Sequence, residues 1–298
     1  MCCCSVADSP PSRPWAPRLR WSRSISDHGA IPAPQIPRGA CPGRGPPSAR
    51  HADTHRPRER CAGSLPGRSG HGYNHRLFAQ SAAMLELGLK VLLAYLLGSV
   101  MGSLLLGRLR GGIDIRSLGS GNAGGTNALR TQGGAFAAGV LVIDIGKGVL
   151  AALVLPGLAL PGVPLDPAMP REVVVYGCAL AAVTGHVWPL WHEFRGGKGA
   201  ATAVGLIAVL APALVVPMLL VWLGIVTTTG IVGLATITVA ALAPLLVALG
   251  WPVGHEGFFW FALAVATLIL YTHRSNMARL RAGTENRVER LMLFRRKR

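Results

Sequence analysis

Three short stretches hold most of the side chains able to do polar chemistry in an otherwise apolar region. The first, GSGNAGGTNALR at residues 119–130, combines unhindered glycine amides, Gly121 among them, with Ser120, Asn122, Thr126 and Asn127. All of these can donate to phosphate oxygens. Arg130 closes the stretch with a guanidinium fork suited to two-point anion contact. The second, GHVWPLWHEFRGGKGAAT at 185–202, puts Lys198 just after Gly196 and Gly197 and directly before an apolar segment. Free amides and a helix dipole there favour an anion. The third, THRSNMARLRAGTEN at 272–286, brings His273, Arg274 and Asn276 into one turn, with Glu285 as one of the few acids in a basic tail. Anion recognition is the chemistry common to all three.

Several familiar chemistries are excluded. Gly119, Gly121 and Gly124 satisfy G-x-G-x-x-G, but a membrane helix and a basic loop precede them where a dinucleotide fold needs a buried strand. GGKG fails the nucleotide-triphosphate loop twice, with His192 where Gly is required and Gly199 after the lysine. No G-x-S-x-G or H-E-x-x-H occurs, nor the His followed by Asp of many glycerolipid acyltransferases: Trp191 and Ala278 stand at those positions. The six cysteines form no C-x-x-C pair, so neither a metal nor a redox site is expected, and no cofactor. Taken singly, each stretch also has an ordinary reading, as a flexible connector, a positive-inside anchor or a lipid-facing tail. His186 reads as structural, and Trp188 and Trp191 as interfacial anchors.

The elements that must position these stretches are membrane helices. The chain of 298 residues carries a formal charge of +17 yet has a mean hydropathy of +0.40. That pairing is unlike a soluble nucleic-acid binder, and it resolves near Met84. Residues 1–84 are Arg- and Pro-rich without periodicity and are expected to be disordered. They read either as a basic targeting or lipid-binding arm or as sequence upstream of a start at Met84. Residues 85–298 form the membrane domain. Apolar stretches run over 85–107, 135–160, 173–191, 203–226, 231–249 and 258–271. Arg108, Arg110, Arg116 and Arg130, then Arg195 and Lys198, then the tail from Arg274 onward should all be cytoplasmic. Three apolar stretches between the second and third basic segments break that parity, so one must turn back. Pro212 and Pro217 make 203–226 the candidate, split into two shorter helices with Thr227, Thr228 and Thr229 returning to the cytoplasmic face. The expected fold is an all-α polytopic membrane protein of about seven transmembrane helices, including broken or half helices.

In their order, GSGNAGGTNALR, GGKGAAT and HRSN followed by GTE resemble the bacterial acyl-phosphate:glycerol-3-phosphate acyltransferase family, over essentially all of residues 85–290. The resemblance implies a seven-helix inner-membrane enzyme with its active site on the cytoplasmic side. It would transfer an acyl chain from acyl phosphate to glycerol 3-phosphate, giving lysophosphatidic acid, the first step of phospholipid synthesis. It implies a catalytic set of His273, Asn276, Lys198 and Ser120. Substrate and phosphate contacts would come from Gly121, Asn122, Thr126, Asn127, Arg130, Gly196, Gly197, Arg274, Thr236 and Glu285. The partners implied are the two substrates, membrane lipids and the enzyme that makes acyl phosphate, with no nucleic acid. Two departures stand out: Gly125 replaces the family's usual Ala, and GLAT at 233–236 replaces a serine-rich pattern, leaving Thr236 as the remaining hydroxyl. The rival reading is a transporter of a phosphorylated solute, whose mid-bilayer charges would be Asp144 and Lys147.

Overall fold

The computed structural model describes residues 71–163, 169–253 and 257–293, all within one compact unit, Pro66–Arg298. Ten α-helices occur among them: α1 (His71–Gly98), α2 (Gly102–Leu109), α3 (Gly125–Gln132), α4 (Gly134–Leu153), α5 (Arg171–Val187), α6 (Ala200–Leu210), α7 (Pro212–Thr229), α8 (Val232–Ala248), α9 (Phe258–Thr272) and α10 (Arg274–Arg281). Three segments are long and apolar enough to cross a membrane alone: Gly134–Gly157, Arg171–His192 and Pro212–Thr229. Two bent pairs, α1 with α2 at 47° and α9 with α10 at 57°, and the shorter α6 and α8 complete seven apolar segments. The protein is therefore an all-α polytopic membrane protein with broken helices. The expectation of disorder for residues 1–70 lies outside the described residues, whereas α1 begins at His71, upstream of Met84.

Two expectations about breaks need correction. The first span is not one helix: it stops at Gly98 and resumes at Gly102. Both glycines serve close approach, as the small-residue spacing suggests. A Cβ on Gly98 would lie 2.2 Å from the Ala182 carbonyl oxygen of α5, and one on Gly102 3.0 Å from that of Val140 on α4. In 203–226 only Pro212 interrupts the helix. It takes the first position of α7, where a missing amide hydrogen costs nothing, after Ala211 at φ −146° and ψ 64°. Pro217 lies inside α7. The carbonyl it leaves without a helical donor, that of Ala213, accepts instead from Trp251 Nε1 at 3.2 Å.

Two helix pairs form the frame. Gly185 of α5 lets α1 approach until a Cβ would sit 2.2 Å from the Tyr95 oxygen. Gly148 and Gly205 do the same between α4 and α6, at 2.2 Å from Thr202 O and 2.1 Å from Ile145 O. At one end of the bundle Glu86 accepts from Lys90 and Arg171, both at 2.8 Å, and Lys90 also reaches Pro156 O at 2.7 Å. At the other end lie α3, the GGKG turn, the α7–α8 turn and α10. There the segment after α10 is tied down by Val288 N to Gly230 O at 2.8 Å and Leu293 N to Thr227 O at 3.0 Å. The α7–α8 turn thus shares the face of the other polar loops. Between the ends, α7 is given largely to lipid, with Val216, Leu219 and Leu220 exposed.

Mid-bundle, Lys147 spends its ammonium hydrogens on Asp144 Oδ1 (3.0 Å), Gly98 O (2.9 Å) and Val100 O (2.7 Å). Lys147→Met would leave a buried carboxylate and two buried carbonyls without their cation, a loss of about 3–5 kcal/mol. The variant is expected to give little monodisperse protein and a sharply lower Tm, with Asp144→Asn added in the same chain restoring part of both. A Lys147→Met protein as stable as the parent would show that the break in the first span needs no cation.

Candidate active site

A cavity of about 260 Å³ opens among the polar loops and runs down between α6, α7, α8 and α9. Its head is polar and the rest is apolar. Two helix N-termini border the head. Gly124, Gly125 and Thr126 line it at the start of α3, where Gly124 O already takes the amides of Asn127 and Ala128, leaving the first-turn amides of Gly125 and Thr126. Gly199, Ala200 and Ala201 line it at the start of α6. Gly199 is at φ +83°, and a Cβ there would lie 2.7 Å from Val183 Cγ1, so the turn into α6 requires glycine. Unsatisfied amides and the positive ends of two helix dipoles thus meet at one place.

Side chains add cations to that head. Lys198 Nζ donates to Asn276 Oδ1. Asn276 Nδ2 donates to Glu285 Oε1 at 2.7 Å, and Arg279 Nε to Glu285 Oε2 at 2.7 Å. Arg130 reaches across from α3 to Asn286 O at 3.2 Å. Lys198, Arg130 and Arg279 all line the cavity head around the carboxylate of Glu285. Desolvation, then the nearby Arg279, pushes the Lys198 ammonium down to about 8, against the pull of Glu285. Burial also lowers the Arg130 guanidinium. Thr272 Oγ1 donates to Lys198 O at 3.0 Å, fixing the GGKG turn to the end of α9. His273 follows, with Nδ1 2.8 Å from Ile269 O. A carbonyl can only accept, so Nδ1 carries hydrogen and the neutral ring offers Nε2 as acceptor.

Most of the side chains expected from sequence come together here. Ser120, Asn122 and Thr126 line the head from one side, Lys198, His273 and Asn276 from the other, and Arg130 and Glu285 close the rim. Thr236 lines the wall, its hydroxyl donating to Val232 O at 2.9 Å and accepting from Trp222 Nε1 at 3.3 Å. Gly233 leaves room for Asn276, whose Nδ2 would lie 2.7 Å from an added Cβ.

Others hold the frame in place of the anion contact expected. Asn127 donates to Ile115 O and Leu118 O at 2.9 and 3.0 Å and accepts from Ser120 N at 2.9 Å, so it shapes the loop. The Gly121 amide is taken by Leu118 O, that of Gly196 by Val187 O and that of Gly197 by His186 O. Arg274 lies outside the cavity, 4.5 Å over the Tyr271 ring. The sequence reading missed Arg279, which spacing from Asn276 on one helix could have revealed. His186, read from sequence as structural, is buried and carries the GGKG turn through Gly197 N to His186 O at 3.0 Å. His186 lines the cavity with Asp144, its Nδ1 3.5 Å from Asp144 Oδ1.

The glycerol-3-phosphate acyltransferase family profile matches residues 88–283. A glycerol-3-phosphate acyltransferase of Shouchella clausii is 43% identical over 202 residues, 66% of this chain and 94% of the relative. One from Neisseria meningitidis serogroup C is 35% identical over 198 residues, covering 66% and 95%. Among solved structures, PlsY (YgiH), described as an integral membrane glycerol 3-phosphate acyltransferase, matches in its glycerol 3-phosphate form with a TM-score of 0.57 at 35% identity, over 67% of this chain and 94% of that one. Its lysophosphatidic acid form matches with a TM-score of 0.55 at 33% identity.

A cation with a pKa of about 8 at the cavity head gives anion binding an alkaline limit. The protonated amine attracts phosphate and the neutral amine does not, so affinity is lost as pH rises through that value. Calorimetric titration with inorganic phosphate should show weakening above pH about 8 in the parent and a flatter profile in Lys198→Arg, whose guanidinium stays charged. Identical profiles would remove Lys198 from the anion site.

Proposed function

Because the chain belongs to the glycerol-3-phosphate acyltransferase family, we propose that its acyl donor is acyl phosphate and its products are lysophosphatidic acid and inorganic phosphate. The observation that carries this reading is the meeting of two helix N-termini and three cationic side chains at the head of an otherwise apolar cavity. Two phosphate-bearing substrates need two anion seats, and a fatty chain needs an apolar chamber beside them.

Acyl phosphate is a mixed anhydride and already activated, so the glycerol hydroxyl can attack its carbonyl directly. The new ester C–O bond forms, the bond from carbonyl carbon to phosphate oxygen breaks, and the hydroxyl proton passes to His273 Nε2 or to the departing phosphate. Lys198 and Arg130 stabilise the charge that grows on that phosphate. Asn276, held by Glu285, keeps the Lys198 ammonium oriented. Holding both substrates in line supplies several kcal/mol without an enzyme nucleophile. The catalytic set proposed is His273, Asn276, Lys198 and Ser120.

The placement proposed is the bacterial inner membrane with the site facing the cytoplasm, supported by the Arg and Lys concentrated on the loops of that face. A water-sensitive donor also favours coupling to the enzyme that makes acyl phosphate. The transporter reading loses its support, since Lys147 is committed to Asp144 and to the carbonyls of Gly98 and Val100, and Asp144 to Lys147 and the Gly102 amide.

Membranes or purified protein supplied with glycerol 3-phosphate should form lysophosphatidic acid with acyl phosphate and not with acyl-CoA or acyl carrier protein. Lys198→Ala and Arg130→Ala should each lose about 1.5–3 kcal/mol of transition-state binding, roughly tenfold to two-hundredfold in kcat/KM, with normal insertion. Transfer from acyl-CoA at a comparable rate would refute the donor assignment, and a fully active Lys198→Ala protein the role of the lysine.

A further inference from the structure

The apolar part of the cavity follows α9 away from the polar head. On α9 its wall is made by Phe258, Phe261, Ala262, Val265, Ala266 and Ile269, one helical stripe that runs the length of the helix. The stripe starts at Phe258 and ends beside His273 at the polar head. Phe258 is 1% exposed, and its ring centroid lies 5.7 Å from that of Phe261. Phe261 is braced from behind by Tyr176 of α5, stacked on it at 4.9 Å and 15°. Across the chamber α8 contributes small residues, Ala240 and Ala243. The end is therefore an aromatic wall backed by a packed core, facing a side kept open by alanines.

We infer that this wall sets the longest acyl chain the enzyme transfers efficiently, with Phe258 as the specificity-determining residue. At 1.5 Å per residue the path along α9 from Phe258 to His273 is about 22 Å. An extended alkyl chain advances about 1.3 Å per carbon, so a carbonyl held beside His273 leaves room for roughly sixteen to eighteen carbons. Each further methylene would have to displace packed aromatic side chains or buckle, and overpacking of that kind is strongly unfavourable. The inference rests on the proposed acyl transfer, since it is the reacting carbonyl that anchors one end of the chain.

The test uses the full chain in lipid nanodiscs with two readouts. One is kcat/KM for acyl phosphates from twelve to twenty-two carbons. The other is thermal stabilisation by lysophosphatidic acids of the same lengths, which needs no donor. The parent should rise to a maximum at sixteen to eighteen carbons and fall about tenfold or more by twenty-two in both series. Phe258→Ala should move the fall to longer chains by two carbons or more while keeping activity on the sixteen-carbon donor. Ala243→Phe, which narrows the chamber from the opposite wall, should move it to shorter chains. Length profiles unchanged in both variants, in active protein, would overturn the chain-length limit alone. Length-limited stabilisation that shifts as stated, with no transfer from any acyl phosphate, would uphold the limit and overturn the donor assignment.

Discussion

The position of the site depends on how the bundle satisfies a broken helix inside the bilayer. Where the chain leaves α1 at Gly98 and enters α2 at Gly102, backbone carbonyls lose their helical donors, and lipid offers none. Lys147 supplies them, donating to Gly98 O and Val100 O. Asp144 balances its charge and accepts the Gly102 amide at 3.3 Å. Next to Asp144 stands His186, and the GGKG turn folds directly onto that ring. Gly197 N donates to His186 O at 3.0 Å, and a Cβ on Gly197 would lie 2.2 Å from Nε2. One buried ion pair therefore connects the break in the first span to the turn that presents Lys198.

The head of the cavity is prepared for anions before any arrive. Three cations share one carboxylate, and that carboxylate is occupied in positioning Asn276 and Arg279 rather than in neutralising Lys198 directly. Keeping Lys198 charged there is costly, first through desolvation and then through the nearby Arg279, which together bring its pKa down to about 8. A phosphate dianion relieves that cost. On the proposed function, binding and catalytic stabilisation would draw on that same arrangement, with no covalent chemistry of the enzyme's own.

The spans and the three polar stretches were legible in sequence because hydropathy and loop charge act locally. Pro212 was legible as a break because proline lacks a donor wherever it stands. Pro217 looked the same and was not a break, because its effect depends on Trp251, far along the chain. The Gly98–Gly102 pair was read correctly as a close-packing device and wrongly as part of a continuous helix. What satisfies the interrupted helix is a lysine on another span, invisible to local pattern. The same distinction runs through the first polar loop. Composition marked Asn127 as a phosphate donor, whereas its geometry makes it the residue that folds the loop. Arg274 follows the motif yet turns to Tyr271, and Arg279, one turn of helix beyond Asn276, takes the inward position.

These internal commitments decide which groups remain for substrate. With the amides of Ser120, Gly121, Gly196 and Gly197 already bonded, the loops are rigid frames and no longer flexible anion cradles. The donors left over are the first turns of α3 and α6, whose direction is fixed by helices packed into the bundle. A single rigid helix, α9, then carries His273 at one end and the aromatic wall at the other. In the proposed reaction the register between the reacting carbonyl and the tail of its chain follows that helix, with Ala240 and Ala243 of α8 on the opposite wall. On the proposed acyl transfer, head and tail of the donor would be gauged against α9, so a chain that does not fit below would displace the carbonyl above, and discrimination in the membrane interior would be expressed as a rate at the polar head.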